Sequence, residues 1–279
     1  MISFDFAYHR PLTLPEAVQL HQYLTLQEKQ PVYYAGGTEI ITLARMNQLY
    51  TKAVIDIKRI PECNVLEFRH DKLVLGTALT LTQLAEANVF PLLTETAGRA
   101  ADHTARSKIT LGGNICGSII YREAVLPFLL ADSQVMIAGK KGIRVVPIPY
   151  VFVPQLWLEE GEFAVQLITD RSYVDAPYVS VKKRKLETID YPLVTVAALK
   201  KENRIRTAFS GLVPFPFRSL EMEDILNNRH LPLETRVEEA VRHLPGPIID
   251  DIRGSAEYRK FVLKNTLTSI LKRLEEVRE

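Results

Sequence analysis

The stretch Val32-Tyr33-Tyr34-Ala35-Gly36-Gly37-Thr38-Glu39-Ile40 joins a short apolar run, a double glycine and the pattern of a helix start. It predicts a strand, a tight turn and a helix in succession. Two adjacent glycines permit positive φ and leave no Cβ between the turn and a ligand, while Thr38 is placed to cap the helix. Free N–H groups at such a helix start bind phosphate, although many Gly-Gly pairs are only turns.

A second stretch, Ile109-Thr110-Leu111-Gly112-Gly113-Asn114-Ile115, repeats the same order of residue types further along the chain. Neither stretch contains the Lys-Ser/Thr pair of a P-loop or the G-x-G-x-x-G fingerprint of a Rossmann domain. Two glycine loops of this kind predict one extended ligand, with a pyrophosphate held between them.

Composition excludes several classes of protein. The 279 residues are 47% hydrophobic and 24% charged, which is typical of a globular protein with two or three subdomains. The net charge of +2 predicts no affinity for nucleic acid or for an anionic membrane. Neither a signal peptide nor a run of about eighteen apolar residues is present, so we expect no membrane partner and a cytoplasmic protein.

The chain offers few residues for metal binding or nucleophilic catalysis. Cys63 and Cys116 lie far apart in sequence, and the six histidines show no ligand spacing. We therefore expect no metal site and no iron–sulfur cluster on this chain. Because no Ser-His-Asp or Cys-His constellation is evident, we also expect no catalytic nucleophile or general base.

The periodicity of the chain predicts an α+β protein. Thr13, Pro15 and Glu16 indicate a helix start, and an apolar run at 53–57 indicates a buried strand, so the first sixty or so residues read as a small α/β unit. Further predicted elements are a hairpin at 65–68 and 72–76, a helix at 92–101, strands at 133–138, 143–146, 163–169, 178–181 and 193–199, a half-exposed antiparallel strand at 204–209, and helices at 221–227, 233–243 and 255–277.

Taken together, these motifs resemble the FAD-binding medium subunit of the molybdenum hydroxylases, which include xanthine dehydrogenase and aerobic carbon monoxide dehydrogenase. Ala35-Gly36-Gly37-Thr38-Glu39 resembles the family's first FAD loop, and Thr110-Leu111-Gly112-Gly113-Asn114 resembles its second. Asp251-Ile252-Arg253-Gly254-Ser255-Ala256-Glu257-Tyr258-Arg259 is similar to its C-terminal signature. The three motifs occur in the family's order and span essentially the whole chain.

The resemblance implies a PCMH-type FAD-binding domain at 1–169, built of two α/β subdomains at about 1–60 and 61–169. A smaller α+β domain with an antiparallel sheet and helices would follow at 170–279. FAD would lie between the two subdomains. The implied cofactor-binding residues of the two loops are Tyr33, Tyr34, Ala35, Gly36, Gly37, Thr38, Glu39, Ile40, Thr110, Leu111, Gly112, Gly113, Asn114 and Gly117.

Five more positions match the family less closely. Glu123 stands where the family has an aspartate that contacts the ribityl chain, and its alternative role is a surface ion pair with Arg122. Lys182 matches a lysine that approaches FAD, or else belongs to a solvated strand end. Phe163 and Ala164 match positions that pass beside the cofactor. Arg106 is the single match to a segment that precedes the second loop, and either orients that loop or is a surface residue.

The function implied by the resemblance is electron transfer in a multi-subunit enzyme, most closely xanthine dehydrogenase. A molybdopterin-containing large subunit would oxidise the substrate, and a small subunit with two [2Fe-2S] clusters would pass electrons to FAD here, which would reduce NAD. Alternatives are a medium subunit of a carbon monoxide, aldehyde or other N-heterocycle hydroxylase, a self-sufficient PCMH-type flavin oxidoreductase, and a flavin-binding assembly module. We expect valine at Gly36 or Gly37 to abolish FAD binding while the fold still forms.

Overall fold

The computed structural model describes residues 2–186 and 190–277. The strands are β1 (Ala7–His9), β2 (Val32–Tyr34), β3 (Ala53–Asp56), β4 (Leu66–Arg69), β5 (Lys72–Gly76), β6 (Gln134–Gly139), β7 (Gly142–Pro147), β8 (Phe163–Asp170), β9 (Tyr178–Arg184), β10 (Pro192–Lys201), β11 (Arg204–Ser210) and β12 (Phe217–Arg218). The helices are α1 (Leu14–Leu26), α2 (Thr38–Arg45), α3 (Leu81–Ala87), α4 (Pro91–Ala97), α5 (His103–Arg106), α6 (Leu111–Cys116), α7 (Leu126–Leu130), α8 (Arg171–Val174), α9 (Leu220–Leu226), α10 (Leu233–Arg242) and α11 (Ala256–Glu276). Among the described helices, none is long and apolar enough to cross a membrane.

The chain forms two compact units whose segments alternate along the sequence. The first unit comprises Met1–Ala87, His103–Gly117 and Ser133–Asp170, and the second comprises Asn88–Asp102, Ser118–Asp132 and Arg171–Glu279. The sequence predicted contiguous domains, with a domain boundary near residue 170 and a subdomain boundary near residue 60. Contacts instead group two earlier segments with the C-terminal part, because helices in those segments pack on its sheet.

The first unit contains two sheets. One is parallel, with the order β1-β3-β2, and the other is antiparallel, with the order β4-β5-β8-β6-β7. The start of α1 is as predicted, because the Thr13 side chain accepts a hydrogen bond from the Glu16 N–H at 3.2 Å. A core of Leu14, Ala17, Ile55 and Val165 joins α1 to strands of both sheets.

Two predicted helix positions are wrong. Gly37, with φ of 71°, occupies the cap position of α2, so Thr38 is the first helical residue and does not cap it. The predicted helix at 92–101 is shorter, since α4 ends at Ala97 and is followed by Gly98. At the start of α2 the left-handed backbone of Gly37 sets the helix end, whereas Gly98 after α4 keeps right-handed helical dihedrals. Propensity alone located neither end.

The second unit is built on the antiparallel sheet β12-β11-β10-β9. Val194, Val196, Ile205 and Phe209 pack against α9, α10 and α11 in one buried cluster. The prediction of a half-exposed sheet is wrong, because Thr207, Ala208 and Ser210 are also buried. Helix α4 contacts β9 and helix α7 contacts β10 and β11, so elements from earlier in the chain add cover to this sheet.

The C-terminal signature motif fastens α11 to this sheet. Arg259 is fully buried and donates hydrogen bonds to the backbone oxygens of Leu193 at 2.6 Å and Gly211 at 3.0 Å. It also donates to the Asp251 carboxylate at 2.6 Å. An arginine buried in this way needs every donor paired, and backbone oxygens provide most of the partners. The motif therefore has a structural role within the second unit.

Candidate functional site

A cleft of about 240 Å³ lies in the first unit, between elements of its two sheets. The predicted residues that line it are Tyr33, Tyr34, Ala35, Gly36, Gly37, Thr38, Glu39, Ile40, Thr110, Gly112, Gly113, Gly117, Phe163 and Ala164. Residues that the sequence analysis missed are Ile57, Thr77, Cys116, Leu158 and Glu162. The predicted residues Leu111, Asn114, Glu123 and Lys182 do not line it.

One of the missed residues had a signal in the sequence. Strand β3 pairs in parallel with β2, and Ile57 directly follows β3. Since the carboxyl ends of parallel strands meet at one edge of a sheet, the residue after β3 belongs beside the glycine loop after β2. Glu162 and Leu158 have no such signal, because they come from a loop far along the chain.

The first glycine loop presents unused backbone donors to the cleft. Within the described residues, the N–H groups of Gly36, Gly37 and Thr38 donate to no acceptor. Helix α2 begins here, and the Gly37 carbonyl already accepts from the Ile41 N–H at 2.8 Å. Free N–H groups at a helix start carry partial positive charge, so this loop has the donors that a diphosphate needs.

The second glycine stretch differs from the first. Thr110 caps α6, and both glycines lie inside its first turn, where a loop was expected. Three of its N–H groups are already used. Leu111 donates to the Leu79 carbonyl at 2.8 Å, Gly112 to the Thr77 carbonyl at 2.8 Å and Gly113 to the Thr110 hydroxyl at 3.2 Å. Among the described residues, the second stretch therefore has fewer free N–H donors than the first. The prediction that both loops hold a pyrophosphate depends mainly on the first loop.

Gly36 and Gly113 lack a side chain for different structural reasons. A Cβ on Gly36 would lie 1.9 Å from the Lys108 carbonyl oxygen, so the backbones of the two glycine stretches touch there. A Cβ on Gly113 would meet only the Thr110 hydroxyl, at 2.9 Å. Gly113 is exposed, and its missing side chain leaves room in the cleft. This cradle fits a ligand that approaches the backbone closely.

Aromatic rings form one wall of the cleft. The Tyr33 ring lies 4.4 Å from the Phe163 ring and 5.0 Å from the His21 ring, measured between centroids. The Tyr33 hydroxyl donates to the Gly161 carbonyl at 3.0 Å, and burial raises the pKa of this phenol. The ring is therefore neutral and held from both ends, which makes a rigid apolar wall.

The Glu162 carboxylate lies in another part of the cleft. Glu162 accepts hydrogen bonds from Arg144 Nε at 3.0 Å and from the Arg144 terminal nitrogen at 2.8 Å. This two-point pair, which outweighs the opposite effect of burial, lowers the pKa of the Glu162 carboxyl. The carboxylate stays ionised at neutral pH and can accept bonds from hydroxyl groups of a ligand. Among the described residues, no group of three or more potential ligands is placed to hold a metal.

Residues 4–168 match the sequence model of a family described as "FAD binding domain in molybdopterin dehydrogenase". The chain belongs to this family. It is therefore a FAD-binding subunit of the molybdenum hydroxylase family, an oxidoreductase component, and FAD is its cofactor. The free donors of the first glycine loop and the glycine cradle beside them fit such a cofactor.

Curated relatives match this FAD-binding subunit along nearly its whole length. It is 28% identical to the "Xanthine dehydrogenase FAD-binding subunit" of Escherichia coli O157:H7, over 96% of both chains. It is 25% identical to the "Carbon monoxide dehydrogenase medium chain" of Hydrogenophaga pseudoflava, over 93% of both. A solved structure of carbon monoxide dehydrogenase from Hydrogenophaga pseudoflava that lacks the Mo-pyranopterin moiety shares the fold, with a TM-score of 0.86, 23% identity and 98% coverage of each chain.

In this FAD-binding subunit, Glu123 and Lys182 form a pair inside the second unit. Lys182 Nζ lies 2.6 Å from the Glu123 carboxylate, and their side chains are 4% and 3% exposed. The Thr195 hydroxyl donates to the other carboxylate oxygen at 2.5 Å. The alternatives of a surface pair with Arg122 and of a solvated strand end are thus wrong. Burial lowers the pKa of the Lys182 ammonium, and the Glu123 carboxylate acts in the opposite direction.

Proposed function

We propose that this chain is the FAD-binding, electron-transfer subunit of a xanthine dehydrogenase type of molybdenum hydroxylase. The observation that carries the proposal is the 28% identity, over 96% of both chains, to a xanthine dehydrogenase FAD-binding subunit. Its partners would be a molybdopterin-containing large subunit and a small subunit with two [2Fe-2S] clusters, and NAD would be the electron acceptor. Bound FAD supplies the chemistry, since a flavin takes up electrons singly and releases them as a hydride.

The residues of this chain would bind and orient the cofactor. The N–H groups of Gly36, Gly37 and Thr38 would hold the diphosphate, because they are free and lie at a helix start. The wall of Tyr33 and Phe163 would keep water from one side of the ligand. Binding and orienting the cofactor in this way requires no nucleophile or general base.

Glu123 and Lys182 remain predicted cofactor contacts. Each Glu123 oxygen already accepts one hydrogen bond in the second unit, and a carboxylate oxygen has a second lone pair. Phe163 and Ala164, by contrast, would contact the cofactor from the cleft of the first unit.

A second candidate is the medium subunit of a carbon monoxide dehydrogenase type of enzyme. The 25% identical carbon monoxide dehydrogenase medium chain favours it, over 93% of both chains. A self-sufficient flavin oxidoreductase is a further candidate, because Cys116 lines the cleft and offers a thiol for a covalent flavin link. An acid-stable flavin in the purified protein would support that last candidate.

The decisive experiment is reconstitution with the proposed partners. The chain, loaded with FAD, is combined with the large and small subunits of the same enzyme, and NADH formation is followed with xanthine or with carbon monoxide. We expect xanthine-dependent NADH formation by the complex and none by the isolated chain. Turnover with carbon monoxide alone would favour the second candidate, and purine oxidation by the isolated chain would overturn the proposal.

A further inference from the structure

Lys58 contacts the first glycine loop at two points. Its Nζ donates to the Ala35 carbonyl oxygen at 2.8 Å and lies 4.6 Å from the centroid of the Tyr34 ring. The Tyr34 ring in turn packs on Gly37, where an added Cβ would lie 2.2 Å from a ring atom. The Lys58 ammonium group therefore contacts both the loop backbone at Ala35 and the Tyr34 ring that packs on Gly37. Lys58 itself does not line the cleft.

The contact with Ala35 has a geometric consequence for Gly36. In a planar trans peptide the C=O and the following N–H point in opposite directions. Because the Ala35 carbonyl is directed at Lys58, the Gly36 N–H is directed away from Lys58. That N–H is one of the donors that no described acceptor uses, and Gly36 lines the cleft. The hydrogen bond from Lys58 to the Ala35 carbonyl thus fixes the direction of the Gly36 N–H.

Lys58 is itself held in position by Asp56. The Asp56 carboxylate is fully buried and accepts from Lys58 Nζ at 2.8 Å, from the Lys58 backbone N–H at 2.9 Å and from the Tyr8 hydroxyl. The Arg10 guanidinium lies 4.0 Å from the same carboxylate. A carboxylate with this many donors has a defined position, and it confines a lysine that is otherwise 39% exposed.

We propose that Lys58, anchored by Asp56, is a positioning residue that sets the Ala35–Gly36 peptide so that the Gly36 N–H meets the FAD diphosphate. The inference depends on the proposed assignment of the first glycine loop to the diphosphate. It differs from direct pairing, in which the lysine charge itself would bind a phosphate. Positioning acts through a neutral backbone donor, whereas direct pairing adds a salt-sensitive charge attraction.

The test measures FAD affinity of the full-length chain by flavin fluorescence at several salt concentrations. Lys58→Met removes the donor, Lys58→Arg retains one, and Lys140→Met is the matched control, since Lys140 is exposed in the turn between β6 and β7. Loss of one aligned bond to a charged group weakens binding about tenfold or more. We expect that loss for Lys58→Met, affinities within about threefold of wild type for Lys58→Arg and Lys140→Met, and an unchanged salt dependence in Lys58→Met.

Each contrary result has a defined meaning. An affinity of Lys58→Met close to that of wild type, or an equal loss in Lys58→Arg, would overturn the positioning role. A shallower salt dependence in Lys58→Met would replace positioning with direct charge pairing. Thermal melting shows whether a loss of affinity follows from unfolding, and a melting temperature lowered equally in both Lys58 variants would assign the residue a structural role only. Failure of NADH formation by the reconstituted complex would overturn the proposed function and leave this inference intact.

Discussion

Lys182 and Thr195 lie directly opposite each other on strands β9 and β10, and both side chains donate to the Glu123 carboxylate. Opposed residues of an antiparallel pair project to the same side of the sheet, so the register brings an ammonium and a hydroxyl to one acceptor. Glu123 reaches them from a short turn at Glu123–Val125, far earlier in the chain. The three residues form a buried polar cluster that links this turn to the sheet of the second unit.

Removal of one partner from the Lys182–Glu123 pair is predicted to lower the stability of the protein. Lys182→Met leaves a buried carboxylate without its counter-charge and should lower the free energy of unfolding by about 3–5 kcal/mol. The double variant Glu123→Met/Lys182→Met should recover much of this loss, because an apolar pair carries no desolvation penalty. Urea unfolding measures both. The control is Lys264→Met, which removes a surface pair with Glu238 and should have a small effect. Equal losses in the single and double variants would contradict the argument.

The buried Asp56 carboxylate should make the stability of the protein depend on pH under acidic conditions. Burial alone would raise the pKa of this carboxyl, but hydrogen bonds from Lys58 and Tyr8 outweigh it and leave the pKa below its ordinary value of 3.8. The unfolded chain therefore binds the proton more readily, so the contribution of Asp56 is present above about pH 4 and is lost as the pH falls through the folded-state pKa. The difference in unfolding free energy between wild type and Asp56→Asn should shrink on acidification. A difference that is constant from pH 7 to pH 3 would contradict it.

The two cysteines provide a chemical probe of the cleft. Burial raises the pKa of the Cys63 thiol to about 12, whereas Cys116 is exposed and lines the cleft. A thiol reagent at pH 8 should modify only Cys116 in the folded protein, because reaction requires an accessible thiolate. Bound FAD should slow this reaction about tenfold or more, by the occlusion that ligand pockets provide. Cys63 should react only after unfolding. An unchanged Cys116 rate with saturating FAD would place the cofactor elsewhere.

Gly113 is the position at which the cleft can be filled with the least disturbance of the fold. Gly113→Ala and Gly113→Leu should weaken FAD binding progressively, by about tenfold and about a hundredfold, because each added group occupies ligand space. Gly246→Ala is the control, since its Cβ would lie 3.9 Å from the Phe215 ring, an ordinary contact in the second unit. Affinity is measured by flavin fluorescence and folding by circular dichroism. Wild-type affinity in Gly113→Leu would contradict the assignment of the cleft.

The expectation that valine at Gly36 or Gly37 would spare the fold does not agree with the structure. A Cβ on Gly36 would collide with the Lys108 carbonyl, and Gly37 adopts a φ of 71° against the Tyr34 ring. The fold itself therefore requires glycine at both positions, apart from the ligand contacts proposed for them. At Gly113 an added Cβ would meet only the Thr110 hydroxyl, so a substitution there fills the cleft without a collision with backbone.

The first glycine loop, the strands beside it and the capped helix α1 were predictable because each depends on residues close together in the sequence. Glycines, cap residues and apolar periodicity act over a few positions, and these signals together carried the resemblance to a family of FAD-binding subunits. The number of free donors was not accessible in this way, since the second stretch has the same residue types as the first. The Leu111 and Gly112 N–H groups donate to the carbonyls of Leu79 and Thr77, residues that only packing brings near.

Tertiary structure alone decided the partners of the charged residues. Glu123 precedes Lys182 by 59 positions, and nothing in either neighbourhood distinguishes a buried pair from two surface charges. Strand register and the packing of the 118–132 segment bring them together in the second unit. The same holds for Lys58, whose role depends on the direction of one carbonyl group. Local chemistry thus determined where the first glycine loop and its helix start occur, and long-range packing determined which side chains contact that loop.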